Sequence, residues 1–263
     1  MTPPAPLGPL LADPGAAAVL CDLDGTLAPI APRPEGAAIP KRARDALERI
    51  SERYATMAIV TGRRALDGRE IVGLDGLTYA GIHGFELLGP GDARPHPAPA
   101  LAGLARDAPR FAAGLDRQRL TRAGLRLEEK GPIVALHWRG AEREEEARAA
   151  AERIGEEARA QGLVTHPGRK VLELRPAVEI DKGTAVTTLV ADAGVRAAMY
   201  AGDDRTDLDA FRALGELQQR GLIDHAVRIG VRSQEGPAEI AAEADLVVDD
   251  PDALLPILEA LAR

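Results

Sequence analysis

The feature that most constrains the fold is a short apolar run that ends in two carboxylates, within the stretch VLCDLDGTLAPI from Val19 to Ile30. The run from Ala16 to Cys21 is typical of a buried parallel strand. Ligands of open α/β sheets bind beyond the carboxyl ends of such strands. Because side chains alternate along a strand with a period of two, Asp22 and Asp24 are predicted to point the same way, into the mouth of the fold.

Two carboxylates this close repel each other, which raises one pKa unless a cation lies between them. Mg²⁺ is a hard cation that prefers oxygen ligands, and it would stabilise such a pair. The stretch therefore predicts a magnesium site at a strand end. The alternative interpretation is an Asp-rich turn, because Asp and Gly are ordinary turn residues.

Further apolar runs alternate with helical patterns on both sides of a central segment. Alternating strands and helices indicate a parallel sheet with right-handed crossovers. The fold class is therefore predicted to be α/β, with a Rossmann-like parallel-sheet core. Further strands of this core are predicted over 57–60, 77–80, 198–201, 226–231 and 246–248. Helices are predicted over 41–53 and 251–261.

The central segment differs from its flanks and is set off by a Pro/Gly-rich linker, GPGDARPHPAP. Within it, LRLEEK and IVALHWR predict a hairpin, a helix follows over 142–161, and KVLEL predicts a third strand. We therefore predict a smaller α/β cap domain over 93–175, inserted into a core made of 15–92 and 176–263. The Pro-rich start, residues 1–14, is predicted to be a flexible tail.

Polar residues also follow two other predicted strands. Thr61 ends the strand over 57–60, where its hydroxyl can donate to a phosphoryl oxygen or cap the next helix. Gly62 and Arg63 follow it and are candidate substrate contacts. His83 and Gly84 follow the strand over 77–80; glycines beside His83 allow a close approach to a ligand, but a lone histidine is as often structural.

Lys182 opens a predicted helix, and GDDRTD follows the strand over 198–201. This run supplies Asp203, Asp204 and Asp207. Three acids beside two more would be costly without a metal ion, which favours a shared site over a solvated turn.

DLDGT, the strand ending in Thr61, Lys182 and GDDRTD resemble, in order, the four motifs of haloacid dehalogenase (HAD) superfamily phosphatases. The resemblance implies that Asp22 is the nucleophile and Asp24 the acid/base. It also implies that Mg²⁺ is held by Asp22, the backbone of Asp24 and Asp203. Asp204 and Asp207 would hold metal-bound waters or orient Lys182, whose ammonium would neutralise the nucleophile and the phosphoryl group.

The cap lies where one branch of that superfamily carries an α/β cap, and AGIHGFEL, LEEKGPIVALHWR, VLELRP and GDDRTDLDAF resemble trehalose-6-phosphate phosphatases. The resemblance implies that Glu128, Lys130 and Glu173 hold the sugar. From spacing alone, Glu128 and Lys130 could instead form a surface ion pair. The sequence departs from the family pattern at Leu208–Asp209, where Glu is usual after TD, at Trp138 for Tyr, and at Thr61 for Ser.

The composition limits the partners. The net charge is −8, with 33 basic and 41 acidic residues, which makes nucleic acid a poor partner. A single cysteine excludes an internal disulfide and favours a reducing cytoplasm. The start of the chain lacks the features of a secretory signal, and no apolar run is long enough to span a membrane. A monomer acting on a small sugar phosphate is the favoured expectation.

The sequence therefore predicts Mg²⁺-dependent hydrolysis of trehalose 6-phosphate through an aspartyl-phosphate. The alternative substrates are other sugar phosphates, such as glucosyl-3-phosphoglycerate or sucrose phosphate. A phosphomannomutase would need a cap richer in cations than two acids and one lysine. A binding module without catalysis would have no need of Asp22, Asp24, Lys182 and Asp203 together.

Overall fold

The computed structural model describes residues 4–30, 36–233 and 236–263. The chain forms two compact units, which we call the core unit and the cap unit. The core unit is Met1–His96 with Ile180–Arg263, and the cap unit is Pro97–Glu179. Each unit has its own sheet with helices packed on it, so the predicted α/β class is confirmed.

The strands of the two sheets follow one another along the chain in two groups, because the cap strands interrupt the core strands. In chain order they are β1 (Ala17–Cys21), β2 (Thr56–Val60), β3 (Thr78–Gly81), β4 (Glu86–Leu88), β5 (His96–Pro97), β6 (Arg126–Lys130), β7 (Ile133–His137), β8 (Leu163–Gly168), β9 (Val171–Pro176), β10 (Ala197–Gly202), β11 (His225–Val231) and β12 (Leu246–Val248).

The helices confirm the predicted spans over 41–53 and 251–261. No helix in the described ranges has both the length and the apolar character that crossing a bilayer requires. In chain order the α-helices are α1 (Gly8–Ala12), α2 (Lys41–Arg53), α3 (Ala65–Val72), α4 (Asp107–Ala113), α5 (Arg117–Arg122), α6 (Glu144–Ala160), α7 (Lys182–Ala193), α8 (Asp207–Gln219), α9 (Ala238–Glu243) and α10 (Pro251–Leu261).

The core sheet has the strand order β12-β11-β10-β1-β2-β3-β4-β5, and β1 pairs in parallel with both β10 and β2. Every residue of β1 is buried, because apolar clusters pack on both faces of the sheet. Val19 and Cys21 belong to one cluster, and Ala18 and Leu20 to the other. The carboxyl ends of β1, β2 and β10 therefore lie side by side at one edge.

The prediction of a flexible tail over 1–14 is wrong for the part that the structure describes. A 3₁₀ turn spans Ala5–Leu7, and α1 follows it directly. Leu7 and Leu10 are fully buried against the core cluster that contains β1. The prolines explain the difference: Pro6 and Pro9 lie within the first two positions of the 3₁₀ turn and of α1, where proline is compatible with a helix. Residues 1–3 lie outside the described part.

The cap sheet has the order β6-β7-β9-β8, with antiparallel pairing throughout. The predicted hairpin is β6–β7, whereas β8 was not predicted. One face of this sheet packs against α4 and α6 through residues such as Val134, Leu136 and Leu174. The opposite face carries Glu128 and Glu173, both of which pair with Ala135 across neighbouring strands.

Candidate active site

Two strand ends bring acidic side chains together in the core unit. Asp22 follows β1, and its backbone N–H donates to the Ala201 carbonyl of β10 at 2.8 Å. Asp203 follows β10, and Asp207 begins α8. Carboxylate oxygens of the three residues lie within 4.8 Å of one another, and all three side chains are buried. The parallel pairing of β1 with β10 is therefore what creates the cluster.

Lys182 completes this group, which we call the acid–lysine cluster (Asp22, Lys182, Asp203 and Asp207). It is the first residue of α7, whose N-cap Asp181 accepts from the Thr184 N–H at 2.7 Å. Its Nζ donates to Asp22 Oδ1 and to Asp207 Oδ1, both at 2.7 Å. Burial opposes the charged form, but the two carboxylates outweigh it and raise the pKa of Lys182 above its ordinary value.

Asp207 is an anchor within the cluster. Its Oδ1 accepts from Lys182 and from the Tyr200 hydroxyl, the latter at 2.6 Å. Its Oδ2 accepts from the backbone N–H groups of Asp203 and Asp204, both at 3.0 Å. Four donors use the lone pairs of this carboxylate, so Asp207 fixes the loop after β10 and has no capacity left for a metal ion.

Asp22 and Asp203 are the acids that remain for a cation. Burial raises the pKa of Asp22, against the effect of Lys182, and raises that of Asp203 to about 6. Three buried carboxylates and one buried ammonium leave two negative charges when all are ionised. A divalent ion offsets such an excess, and hard carboxylate oxygens suit Mg²⁺. The residues present therefore fit the ion that the sequence predicts.

Glycine makes room for these acids. A side chain at Gly25, which has a φ of 85°, would collide with the Asp203 carboxylate, and one at Gly202 would collide with Asp207. Thr26 donates to Asp203 Oδ1 at 3.3 Å. The Gly and Thr of the DLDGT run thus have a steric and a polar role beside the acids.

Asp24 does not join the cluster through its side chain. Arg63 donates to both of its carboxylate oxygens, from Nε to Oδ2 and from Nη2 to Oδ1, each at 2.7 Å. This forked pair is the geometry in which guanidinium and carboxylate bind best. The two predicted site carboxylates therefore have different partners: Lys182 holds Asp22, and Arg63 holds Asp24.

Asp204 lies at the exposed edge of the cluster. It accepts from the Thr206 hydroxyl at 2.7 Å, and Lys182 Nζ is 3.9 Å away. Burial acts to raise its pKa, but Lys182 and the Thr206 hydrogen bonds outweigh that effect and lower the pKa. In the departure after TD, Leu208 is buried in the core, and Asp209 pairs with Arg212 at 3.3 Å. Neither side chain belongs to the cluster.

Thr61 is buried at the end of β2, and its hydroxyl accepts from the Arg63 N–H at 3.1 Å. It therefore closes a local turn and does not cap α3. The first N–H of α3, from Ala65, is instead accepted by the buried Glu86 carboxylate at 2.7 Å. In this arrangement the Thr61 hydroxyl accepts one hydrogen bond. Its donation to a phosphoryl oxygen remains a prediction.

The segment after β3 supports the Thr61–Arg63 turn from one side. Ile82 and His83 have positive φ angles of 52° and 57°, a conformation that is an outlier for a β-branched residue such as isoleucine. Their N–H groups donate to the carbonyls of Arg63 and Thr61 at 2.7 and 2.9 Å. A Cβ at Gly62 would lie 2.7 Å from the His83 ring. His83 is thus packed against the turn.

Gly84 lies on the other side of this segment, at the start of α7. With a φ of 104°, it approaches the Asp181 carbonyl so closely that a Cβ would lie 3.0 Å from it. The segment therefore touches both the turn after β2 and the helix that carries Lys182.

In the cap unit, the three predicted sugar-binding residues lie on the face of the sheet that α4 and α6 do not cover. Lys130 Nζ is 3.7 Å from Glu173 Oε1, while Arg175 donates to Glu173 Oε2 at 2.6 Å. Glu128 Oε2 is 2.7 Å from His137 Nε2. The alternative of a Glu128–Lys130 ion pair is therefore not what forms. We call Glu128, Lys130, His137, Glu173 and Arg175 together the polar cap face.

Sequence reasoning missed four residues that this geometry brings in: Tyr200, Glu86, His137 and Arg175. Tyr200 lies within a strand, where nothing in the pattern separates a contact to an acid from ordinary packing. Glu86, His137 and Arg175 lie within runs that resemble the family, and that resemblance was the signal that could have found them.

A family model and curated proteins that are similar to this chain share one description. The model of the trehalose-phosphatase family matches residues 20–252. The trehalose-phosphate phosphatase of Mycobacterium tuberculosis (strain H37Rv) is 35% identical over 252 residues, which cover 94% of this chain. The chain spans 61% of the length of that relative.

Two solved structures resemble the fold. The crystal structure of a trehalose-6-phosphate phosphatase related protein has a TM-score of 0.66 and 27% identity, covering 93% of this chain and 96% of the other. A haloacid dehalogenase-like hydrolase from Bacteroides thetaiotaomicron has a TM-score of 0.56 at 16% identity, covering 92% and 98% of the two chains. The second similarity concerns the fold alone. This chain, with the acid–lysine cluster in an HAD-like core, belongs to the trehalose-phosphatase family.

Proposed function

We propose that this chain hydrolyses trehalose 6-phosphate to trehalose and phosphate, with Mg²⁺ and through an aspartyl-phosphate on Asp22. The observation that carries the proposal is the Lys182 ammonium, which binds Asp22 and Asp207 at 2.7 Å inside a buried cluster. Relatives of similar sequence are named for this activity. Phosphate-monoester hydrolysis needs a rate enhancement of up to ~10²¹-fold, which requires charges held in place before the substrate arrives.

Asp22 is the nucleophile in this proposal. One of its carboxylate oxygens forms a bond to phosphorus as the bond from phosphorus to the sugar oxygen breaks. Lys182 donates to Asp22 Oδ1 and keeps a positive charge beside the nucleophile. Water then attacks the aspartyl-phosphate, which releases phosphate and restores the Asp22 carboxylate.

Asp22 and Asp203 would hold Mg²⁺ through their carboxylates, and Asp24 through its backbone carbonyl. When bound, the ion would neutralise charge on the phosphoryl group and on the nucleophile. Asp207 and Tyr200 support this site indirectly, because they fix the loop that carries Asp203.

Asp24 would protonate the sugar oxygen and later accept a proton from the attacking water. Both of its carboxylate oxygens bind Arg63. Asp24 must therefore release at least one of these hydrogen bonds before it reaches a substrate oxygen. Thr61 and Arg63 would contact the phosphoryl group from the neighbouring strand end, supported by His83 and Gly84.

Three side chains of the polar cap face, Glu128, Lys130 and Glu173, would bind the sugar. The Glu128 and Glu173 carboxylates accept hydrogen bonds from hydroxyl groups, and Lys130 donates one. Each glutamate already has a cationic or N–H partner in His137 or Arg175, so the face is suited to a neutral polyol rather than to a second phosphate.

The first test is phosphate release from a panel of sugar phosphates: trehalose 6-phosphate, sucrose 6-phosphate, glucosyl-3-phosphoglycerate and glucose 6-phosphate. We expect trehalose 6-phosphate to be hydrolysed with the highest kcat/KM, to require Mg²⁺ and to stop on addition of EDTA. Asp22→Asn should abolish turnover, whereas Asp209→Asn, a change of the same kind outside the cluster, should retain it. Equal turnover of all four esters would refute the assignment of the substrate.

The second test separates the sugar from the phosphate. Glu128→Ala and Glu173→Ala should lose turnover of trehalose 6-phosphate but keep that of p-nitrophenyl phosphate. Glu129→Ala is the matched control, because Glu129 neighbours Glu128 on the same strand and pairs with Arg117. If all three variants behave alike toward both esters, the polar cap face does not bind the sugar.

We further propose a cytoplasmic monomer whose only partner in this reaction is the sugar phosphate. The single cysteine, Cys21, is fully buried in β1, and burial raises its pKa to about 12, so its thiol is unreactive. Thiol-labelling of the native and unfolded protein would test whether Cys21 is inaccessible. Sedimentation would test whether the protein is a monomer.

A further inference from the structure

His137 is a polar residue of the cap sheet that the proposed reaction leaves without a role. It ends β7 and pairs with Arg126 of β6, two residues from Glu128. The residues beside it on the strand, Leu136 and Trp138, are buried in the apolar core of the cap unit. The alternation of side chains along β7 therefore places the imidazole on the polar cap face.

The contact between His137 and Glu128 is short and specific. His137 Nε2 lies 2.7 Å from Glu128 Oε2, and the two side chains are 22% and 36% exposed. Burial, followed by the charge of Arg126, lowers the pKa of His137, which favours the neutral imidazole near pH 7. A neutral imidazole has one N–H, and a carboxylate can only accept, so the proton lies on Nε2 and the hydrogen bond fixes the tautomer.

The same contact leaves half of the carboxylate available. Arg126 Nη1 is 3.8 Å from Oε2, the oxygen that His137 also contacts. No group in the described ranges of the chain donates to Glu128 Oε1. A glutamate side chain that is not held in place loses rotamer entropy when a ligand immobilises it. A hydrogen bond to one oxygen reduces that loss while the other oxygen can still accept.

We propose that His137 is a positioning residue that fixes the Glu128 carboxylate so that it accepts a hydrogen bond from a sugar hydroxyl. The inference rests on the proposed function, in which Glu128 contacts the sugar. His137 itself does not contact the substrate. It acts on recognition alone, so its loss raises KM for the sugar ester and leaves the chemistry at Asp22 unchanged.

The test is a double-mutant cycle of His137→Phe with Glu128→Ala, which removes each partner singly and together. We expect His137→Phe to raise KM for trehalose 6-phosphate by about 3–10-fold with kcat nearly constant, which corresponds to the net contribution of one typical, partly exposed hydrogen bond. With Glu128→Ala already present, adding His137→Phe should change nothing further. Fully additive effects on KM would overturn the proposal.

A matched control separates positioning from folding. His166→Phe makes the same substitution on β8, at an exposed position that pairs with Glu173. It should leave KM unchanged. His137→Gln, which can still donate an N–H to Glu128, should recover part of the loss. Equal KM increases in His137→Phe and His166→Phe, or no recovery in His137→Gln, would mean that the imidazole serves only the cap fold.

A measurement without substrate distinguishes failure of this inference from failure of the proposed function. Nitrogen NMR of the neutral His137 imidazole should show the proton on Nε2 in the wild type and a mixture of tautomers in Glu128→Ala. An unchanged tautomer would refute the contact itself. If the substrate panel identifies a different sugar phosphate, the proposed function fails, and the cycle measured on that ester still decides the role of His137.

Discussion

The acid–lysine cluster and the polar cap face are both groups of acids paired with cations, but they differ in burial and in connectivity. Asp22, Asp207 and Lys182 are nearly inaccessible, and one ammonium joins two carboxylates. On the polar cap face, Glu128 and Glu173 are 36% and 18% exposed, and each has its own nearest partner. The core group is a coupled network, whereas the cap group consists of nearly separate pairs.

The difference indicates a division of labour. A buried network holds charges in fixed positions and tolerates no loss, because each remaining charge would be left unpaired in a region of low dielectric. Partly exposed pairs can lose a member at smaller cost, since water can replace the missing partner. Changes in the cluster should therefore lower the stability of the protein and kcat for every ester. Changes on the polar cap face should affect only KM for the sugar ester.

The largest expected effect comes from removing the shared ammonium. Lys182→Met leaves Asp22 and Asp207 buried without their cation, which should cost about 3–5 kcal/mol of unfolding free energy. Turnover should fall by about 10²–10³-fold for both trehalose 6-phosphate and p-nitrophenyl phosphate. Phosphate release and urea unfolding measure the two effects.

Lys170→Met is the control for this change. Lys170 forms an exposed ion pair with Glu144 at 2.7 Å, and its loss should cost less than about 1 kcal/mol. If the two lysine variants lose similar stability, the contrast between a coupled network and separate pairs does not hold.

The next effect tests the support behind the cluster. Gly62→Ala places a methyl group 2.7 Å from the His83 ring. Backbone hydrogen bonds join the turn that contains Gly62 to the segment that contains His83, and this restricts the movement of both. Overpacking of this kind costs about 1–3 kcal/mol and should displace Thr61 and Arg63, lowering kcat about 10-fold or more for both esters. Steady-state kinetics with the two esters measures it.

Two variants sharpen this prediction. Gly62→Ala combined with His83→Ala should recover part of the activity, because the smaller side chain frees the space. Gly76→Ala meets no atom within 4 Å and should resemble the wild type. A double variant no better than Gly62→Ala alone would show that His83 does not limit the position of the turn.

A smaller effect is expected from the second pair on the polar cap face. Arg175 donates to Glu173 Oε2 through Nε and Nη2, at 3.0 and 2.6 Å. Lysine keeps the charge but cannot form the fork, so Arg175→Lys should raise KM for trehalose 6-phosphate about 3–5-fold. Turnover of p-nitrophenyl phosphate should not change. A fall in kcat for both esters would assign Arg175 to the chemistry rather than to recognition.

The contrast also explains what the sequence could predict. The residues that the structure brings into the cluster, Asp22, Asp203, Asp207 and Lys182, each follow a strand or open a helix. Parallel pairing fixes where such positions meet, so motif and periodicity were sufficient to predict their proximity. The parallel part of the core sheet, from β12 to β3, was predictable for the same reason, since continuous apolar runs alternate with amphipathic helices.

The partners of these residues were not predictable in the same way. Whether Asp24 binds Arg63, or Glu128 binds His137, depends on side-chain torsions and on the exact strand register, neither of which the sequence pattern fixes. Strand β8 was missed because Pro167 and Gly168 lie within it and resemble a loop. Composition does not predict the burial of Leu7 and Leu10, because a proline-rich segment can be an extended tail or the start of a packed helix.

The smallest expected effect concerns a buried carboxylate outside both groups. Glu86 is 3% exposed and accepts from the Ala65 N–H, and burial raises its pKa from the ordinary 4.5. The folded state therefore binds this proton more tightly than the unfolded state does. Between pH 4.5 and the raised pKa, the contribution of Glu86 to the unfolding free energy should fall as the pH rises.

Glu86→Gln removes this titration but keeps an oxygen that can accept from Ala65. Its unfolding free energy relative to the wild type should therefore increase between pH 4 and pH 7. Urea unfolding of both proteins at several pH values measures the difference, in which the titration of all other groups cancels. A difference that stays constant would mean that Glu86 ionises as easily in the folded state as in the unfolded chain. In that case burial without a nearby ammonium would not raise the pKa of the Glu86 carboxyl. The electrostatic explanation for a buried lysine between Asp22 and Asp207 would then lose its support.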